Sequence, residues 1–181
     1  AVGDGDGVSD ILSASGDGRI QWFTFTEEGM IRHLVHHWPE SAQSAAQSVY
    51  AKDIDGDGDM DVLSASEMSI AWHENDGTDH FTTHTITTHM YRVTSVFAED
   101  VDGDGDTDVL AATTGAVAWF ENTGNEDFTR HVLSDSVERS DSVVAADLDG
   151  DGDIDIFAAA CNENTPFWYE NFSPPTCVDD H

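Results

Sequence analysis

Basic residues are nearly missing from this chain. Six Lys and Arg face 37 Asp and Glu over 181 residues, a formal charge of −31. So acidic a surface repels phosphate backbones and anionic headgroups, which excludes nucleic acid and direct binding to anionic membranes. Long apolar runs are missing too: none approaches the ~20 residues of a membrane-spanning helix. No stretch keeps a 3.6-residue apolar period over helical length. The nearest, residues 39–47, is rich in Ala and Ser and too short to be stable alone. No signal or transit peptide is visible, and the chain opens inside a motif that recurs later, which leaves room for an upstream segment. Cysteine is limited to Cys161 and Cys177. In an oxidising compartment they would staple the tail to the last unit, worth roughly 2–4 kcal/mol; a reduced, buried pair is the alternative.

What the chain has is repetition. Aligned with itself, it gives VGDGDGVSDIL from Val2, DIDGDGDMDVL from Asp53, DVDGDGDTDVL from Asp100 and DLDGDGDIDIF from Asp147. The last three start 47 residues apart, and Trp22, Trp72, Trp119 and Trp168 follow one per unit. That period suits stacked units such as propeller blades. Within a unit the pattern alternates and is β-branched, as in Ser48–Lys52, Asp61–Ser66, Ile70–Glu74 and Phe81–Ile86. Four short antiparallel strands per unit make one propeller blade. The first unit opens at its acidic loop and the last lacks a Phe-Thr-x-His segment. The expectation is therefore an all-β propeller of about four blades with strand counts 3, 4, 4 and 3, a single repeat domain with units near 1–47, 48–94, 95–141 and 142–181, and a segment of a larger propeller.

The acidic loops read as calcium sites. Asp at positions 1, 3, 5 and 9 with Gly at 6 offers a hard cation its oxygens around a tight bend. The second loop supplies Asp53, Asp55, Asp57 and Asp61, with the Asp59 carbonyl at position 7. The third supplies Asp100, Asp102, Asp104 and Asp108, with the Asp106 carbonyl. The fourth supplies Asp147, Asp149, Asp151 and Asp155, with that of Asp153. The first has Val2 at position 1, leaving Asp4, Asp6 and Asp10 with the Val8 carbonyl, so a weaker site is expected beside three strong ones. Up to five Asp within nine residues repel one another unless a cation compensates them. Zinc fits poorly for want of thiolate or imidazole, and magnesium for its strict octahedron. Four bound Ca²⁺ would bring −31 only to −23, which suits an extracellular, cell-surface or organelle-luminal setting.

These units, D-x-D-G-D-G-D-x-D-[VI]-[LF] followed by [AF]-W-[HFY]-E-N, resemble the FG-GAP/VCBS-type calcium-binding propeller repeat from Val2 to about Asn171. The Phe-Gly and Gly-Ala-Pro signatures of the integrin version are absent, which leaves the bacterial and algal side of the family nearer. The resemblance implies closed rings of about seven blades, one Ca²⁺ at each loop-bearing junction, and roles in adhesion, in glycan or protein binding, or in large assemblies.

The four repeated Trp read as packing between blades. His36, His37 and Trp38, in what reads as an enlarged loop, are candidate contacts to a partner. His84 and His131 recur at one strand position, as architecture does. No Ser-His-Asp order, His-Glu-x-x-His or Gly-x-Ser-x-Gly appears, so no enzyme is expected. Asn171-Phe-Ser is a formal glycosylation acceptor followed by two prolines.

Overall fold

The computed structural model describes residues 10–38, 45–78, 80–125, 127–135, 140–160 and 166–171. Fourteen strands form four antiparallel sheets and the described residues contain no helix. The first sheet is β1 (Ile11–Ala14), β2 (Arg19–Thr26) and β3 (Gly29–His37). The second is β4 (Ala46–Lys52), β5 (Asp61–Ser66), β6 (Ile70–Asn75) and β7 (Phe81–Thr87). The third is β8 (Val93–Glu99), β9 (Asp108–Thr113), β10 (Val117–Asn122) and β11 (Phe128–Ser134). The fourth is β12 (Ser140–Ala146), β13 (Asp155–Ala160) and β14 (Pro166–Tyr169). Each sheet is a meander, and the strand counts 3, 4, 4 and 3 match those read from the repeats.

Because side chains alternate across a strand, each sheet carries two cross-strand rows. One row is Tyr50, Leu63, Trp72 and His84 in the second sheet, and Phe97, Leu110, Trp119 and His131 in the third. The opposite row in the third sheet is Ala98, Val109, Phe120 and Arg130. Facing rows of successive sheets merge into three cores. Leu63, Ala65 and Trp72 pack with Val96, Val109 and Phe120, and Leu110 and Val117 pack with Val143 and Ile156. Ile20 and Trp22 pack with Ala46 and Val62. The sheets therefore stack face to face in chain order, as blades do.

Trp22 and Trp72 are fully buried, and Trp119 partly so. Each stacks on the His of its outer strand: Trp22 on His33 at 4.0 Å, Trp72 on His84 at 4.5 Å, and Trp119 on His131 at 4.7 Å. His84 Nε2 meets Glu74 Oε2 at 2.7 Å, and His131 meets Glu121 at 2.6 Å. The repeated His are thus part of the architecture. Inner strands are tied by hydroxyls, since Ser48 Oγ accepts the Val96 N–H at 3.1 Å and Ser95 Oγ that of Val143 at 3.4 Å. Lys52 and Glu99 pair at 2.7 Å across the junction of the second and third sheets.

Candidate metal centres at the blade junctions

Each of the three acidic loops within the described residues joins the innermost strand of its blade to the next strand out, and one pattern of hydrogen bonds holds all three. In the second loop Asp53 Oδ1 accepts the Gly56 N–H at 2.8 Å and its Oδ2 that of Gly58 at 3.1 Å. Asp55 accepts from Asp57, and Asp57 from Asp59. Asp100, Asp102 and Asp104 repeat this with Gly103, Gly105, Asp104 and Asp106 as donors. Asp147, Asp149 and Asp151 repeat it again, onto Gly150, Gly152, Asp151 and Asp153. The bend requires glycine at position 6: Gly58, Gly105 and Gly152 sit at φ 100°, 99° and 99°, where a Cβ is strained.

The closing Asp locks loop to sheet. Asp61 Oδ2 accepts the Ile54 N–H at 2.9 Å and its Oδ1 that of Asn75 at 2.8 Å. Asp108 does the same with Val101 and Asn122, and Asp155 with Leu148 and Asn171. Burial pushes the Asp61 and Asp108 carboxyls up to about 6, against the opposing pull of those backbone donors. Burial also raises Asp55 and Asp102. Carboxylates this reluctant to ionise side by side are what a divalent cation would compensate.

Ligand atoms converge in all three loops. Oxygens of Asp53, Asp55 and Asp57 lie within 4.8 Å of one another, as do those of Asp100, Asp102 and Asp108 and those of Asp147, Asp149 and Asp151. That is the spread expected for oxygens sharing a cation at 2.3–2.6 Å. Each carboxylate oxygen engaged by one N–H keeps a second lone pair. The donor set is all oxygen, so it fits a hard cation. Asp59 and Asp106 turn their carboxylates elsewhere: a Cβ on Gly77 would meet Asp59 Oδ2 at 2.5 Å, and one on Gly124 would meet Asp106 Oδ2 at 2.7 Å. This agrees with position 7 offering its carbonyl. Asp10 precedes β1, whereas Asp4, Asp6 and Val8 of the first loop lie outside the described residues, as do Cys161 and Cys177.

Sequence reasoning missed the asparagine that ends each Trp-x-Glu-Asn run. Asn75 Nδ2 donates to the Met60 carbonyl at 3.3 Å and its Oδ1 accepts the Gly77 N–H. Asn122 does the same with Thr107 and Gly124. Asn171 Nδ2 instead crosses to the Val101 carbonyl at 2.7 Å, so the nitrogen a glycan would occupy is engaged. Replacing buried Asn122 by Ala strands a carbonyl and an N–H. We expect a loss of about 2–3 kcal/mol in urea unfolding; a cost under about 0.5 kcal/mol would deny the brace.

The enlarged loop at His36 is corrected. β3 runs on through His37, because Arg19 pairs with His37 and Ile20 with His36. His37 Nε2 lies 3.2 Å from the Asp17 carbonyl, and the Trp38 N–H donates to Gly18. Trp38 packs partly buried against the first core, edge-on to His36 at 4.9 Å. His36 in turn stacks on His73 at 4.8 Å. His73 stands where other units have Phe23, Phe120 and Tyr169. It is fully buried, with Nε2 2.8 Å from Ser64 Oγ and Nδ1 2.9 Å from Thr83 Oγ1.

Burial first, then the neighbouring His36 and His84, lowers the His73 pKa from 6.5 to about 3. Folding therefore holds His73 neutral while the unfolded chain takes up a proton. Its contribution is present above pH 6.5 and is lost as pH falls toward 3, at up to about 1.4 kcal/mol per pH unit. His73→Phe should flatten that part of the stability profile; unchanged slope between pH 6.5 and 4 in urea melts would contradict it.

The sequence matches the FG-GAP-like repeat three times, over residues 4–64, 53–111 and 100–158. This chain belongs to the FG-GAP-like repeat family. The solved structure of an Agrocybe aegerita lectin specific for non-reducing terminal N-acetylglucosamine is similar at TM-score 0.55 and 17% identity, over 84% of this chain and 47% of the lectin. The Photorhabdus luminescens Tc holotoxin pore is similar at TM-score 0.53 and 17% identity, over 90% of this chain and 8% of that one. This FG-GAP-like chain thus spans less than half of either structure. No curated protein matches it.

Proposed function

We propose that this FG-GAP-like chain is a calcium-stabilised, non-catalytic propeller module that presents a surface to a glycan or protein, outside the cell, on its surface or in a lumen. The observation that carries the reading is the one hydrogen-bond pattern repeated in three acidic loops, each bringing carboxylates of its own together. Asp53, Asp55, Asp57 and Asp61 and their counterparts would hold Ca²⁺, which supplies the charge compensation these carboxylates need. Millimolar extracellular calcium suits exposed loops of this kind.

Two observations support a non-catalytic role. The loop carboxylates are tied to backbone N–H groups. The Ser64–His73 contact lies in a fully buried place, with Thr83 rather than an acid behind the imidazole. A glycan ligand is supported by likeness to a lectin, and the alternative, a subunit bracing a large assembly, by likeness to a toxin complex and by Met30, Ile31 and Leu34 exposed on β3. Calorimetric titration with calcium followed by a glycan array in calcium tests the proposal. Three or four sites and saturable glycan binding are expected. No calcium uptake at about 10 mM overturns the metal reading, and calcium uptake with no glycan bound moves the assignment to the bracing role.

A further inference from the structure

We propose that a hollow at the junction of the second and third blades, on the side opposite their acidic loops, binds a sugar ring that carries one carboxylate. The inference rests on the glycan-binding reading above and names its ligand class. Departures from the repeat carry it. Residues 47 apart do the same job in neighbouring blades: Ile54 and Val101, each second in its loop, are both buried against the following blade. The β5–β6 turn is Glu67, Met68 and Ser69, and the β9–β10 turn is Thr114, Gly115 and Ala116. Gly115 thus stands where the second blade has Met68, and Arg130 where it has Thr83. A Cβ on Gly115 would meet nothing within 4 Å. Without a side chain there, a hollow of about 200 Å³ stays open among Thr113, Gly115, Ala116, Arg130, His89 and Tyr91.

Its rim is fixed. The link from β7 to β8, residues 88–92, is pinned on both sides of Tyr91. The Met90 N–H donates to the Met68 carbonyl at 3.1 Å, and the Thr114 N–H to the Arg92 carbonyl at 3.2 Å. Met90 is buried in the core shared by the two blades. Arg92 sits at φ 50°, the one positive value outside glycine among the described residues. Such a conformation persists only where its surroundings hold it. Between these anchors Tyr91 is 70% exposed, an aromatic face offered on a rigid bend.

Charge selects the ligand. Arg92 pairs with Glu67 at 3.8 Å, but Arg130 has no carboxylate within ion-pair distance among the described residues. In a chain where acids outnumber bases 37 to six, an Arg without an acid beside a hollow is a vacancy for one. Its planar fork suits a carboxylate held by two hydrogen bonds. The hollow is smaller than the ~300 Å³ at which pockets for drug-sized ligands begin, so it holds one ring, laid against the apolar face of Tyr91. A formal charge of −31 repels polyanionic chains, which leaves a sugar with a single carboxylate.

Calorimetric titration of the full chain in calcium with methyl glucuronide, methyl sialoside and neutral methyl glucoside tests this. One acidic sugar should bind at least roughly tenfold tighter than the neutral one, as a charged hydrogen bond implies; which of the two binds separates a uronic from a sialic acid. Arg130→Gln should erase that preference. Gly115→Met, which restores the second blade's residue, should abolish binding; neither variant should move the melting temperature. Equal binding of acidic and neutral sugars, or acidic-sugar binding that survives both substitutions, overturns the ligand class and leaves the glycan-binding reading standing. So does a glycan array that shows only neutral ligands, whereas a blank array overturns both.

Discussion

In about 10 mM calcium the chain should melt roughly 15–30 °C above its melting point in chelator. A loop with a dissociation constant near 10⁻⁴ M is then in roughly hundredfold excess of ligand. Each such site stabilises the fold by about 2.7 kcal/mol, and three by about 8 kcal/mol. A chain of this length shifts by about 2–4 °C per kcal/mol. Protons compete with the cation for carboxylates whose ion-free pKa is already up at about 6, Asp61 and Asp108. The calcium-induced rise should therefore shrink as pH falls from 7 to 5. A shift under about 5 °C at pH 7, by scanning calorimetry, would make the ions incidental to the fold.

The second large effect is expected at Trp72. Its ring is fully buried between the second and third blades and stacked on His84. Trp72→Ala should cost about 3–5 kcal/mol, the transfer of the ring plus the cavity left behind. Trp168→Ala removes a ring already half in water and should cost less than about 1 kcal/mol. Equal losses at the two positions in urea unfolding would mean that the repeat does not set the energetics, and that blades two and four are packed alike.

Much of this was legible because the repeat shows every element more than once. Asp61–Ser66 was read to the residue, since an Asp closing an acidic loop followed by Val-Leu marks a strand start. Three-stranded units at the two ends followed from motifs that were only partly present. What stayed hidden depends on register. Trp72 meets His84 twelve residues on, and only cross-strand pairing reveals it, although Glu74 and Glu121 repeat with the same histidines. Asn75 and Asn122 recur just as faithfully, but their role shows only when Asp61 and Asp108 are seen to need a donor from the far side of the sheet. The His36–His37 segment was read as loop because the spacing from Trp22 to Asp53 is longer than in later units; the strand runs on through His37, where the neighbouring blade supplies His73 as a stacking surface for His36.

The position of Ile54 and Val101 bears on how such a chain matures as it leaves the ribosome. Within a blade each strand pairs with the next in sequence, so the meander forms from local contacts. The hydrophobic residue after the first loop Asp has nowhere to go until the following blade exists. At 5–20 residues per second, a 47-residue unit emerges in roughly 2–10 s. For that interval the newest blade presents an unfinished apolar face while its own sheet is already formed. Synthesis therefore moves a single sticky front along the chain, always one blade behind the exit, and the acidic loops beside it keep that front charged and soluble while it waits.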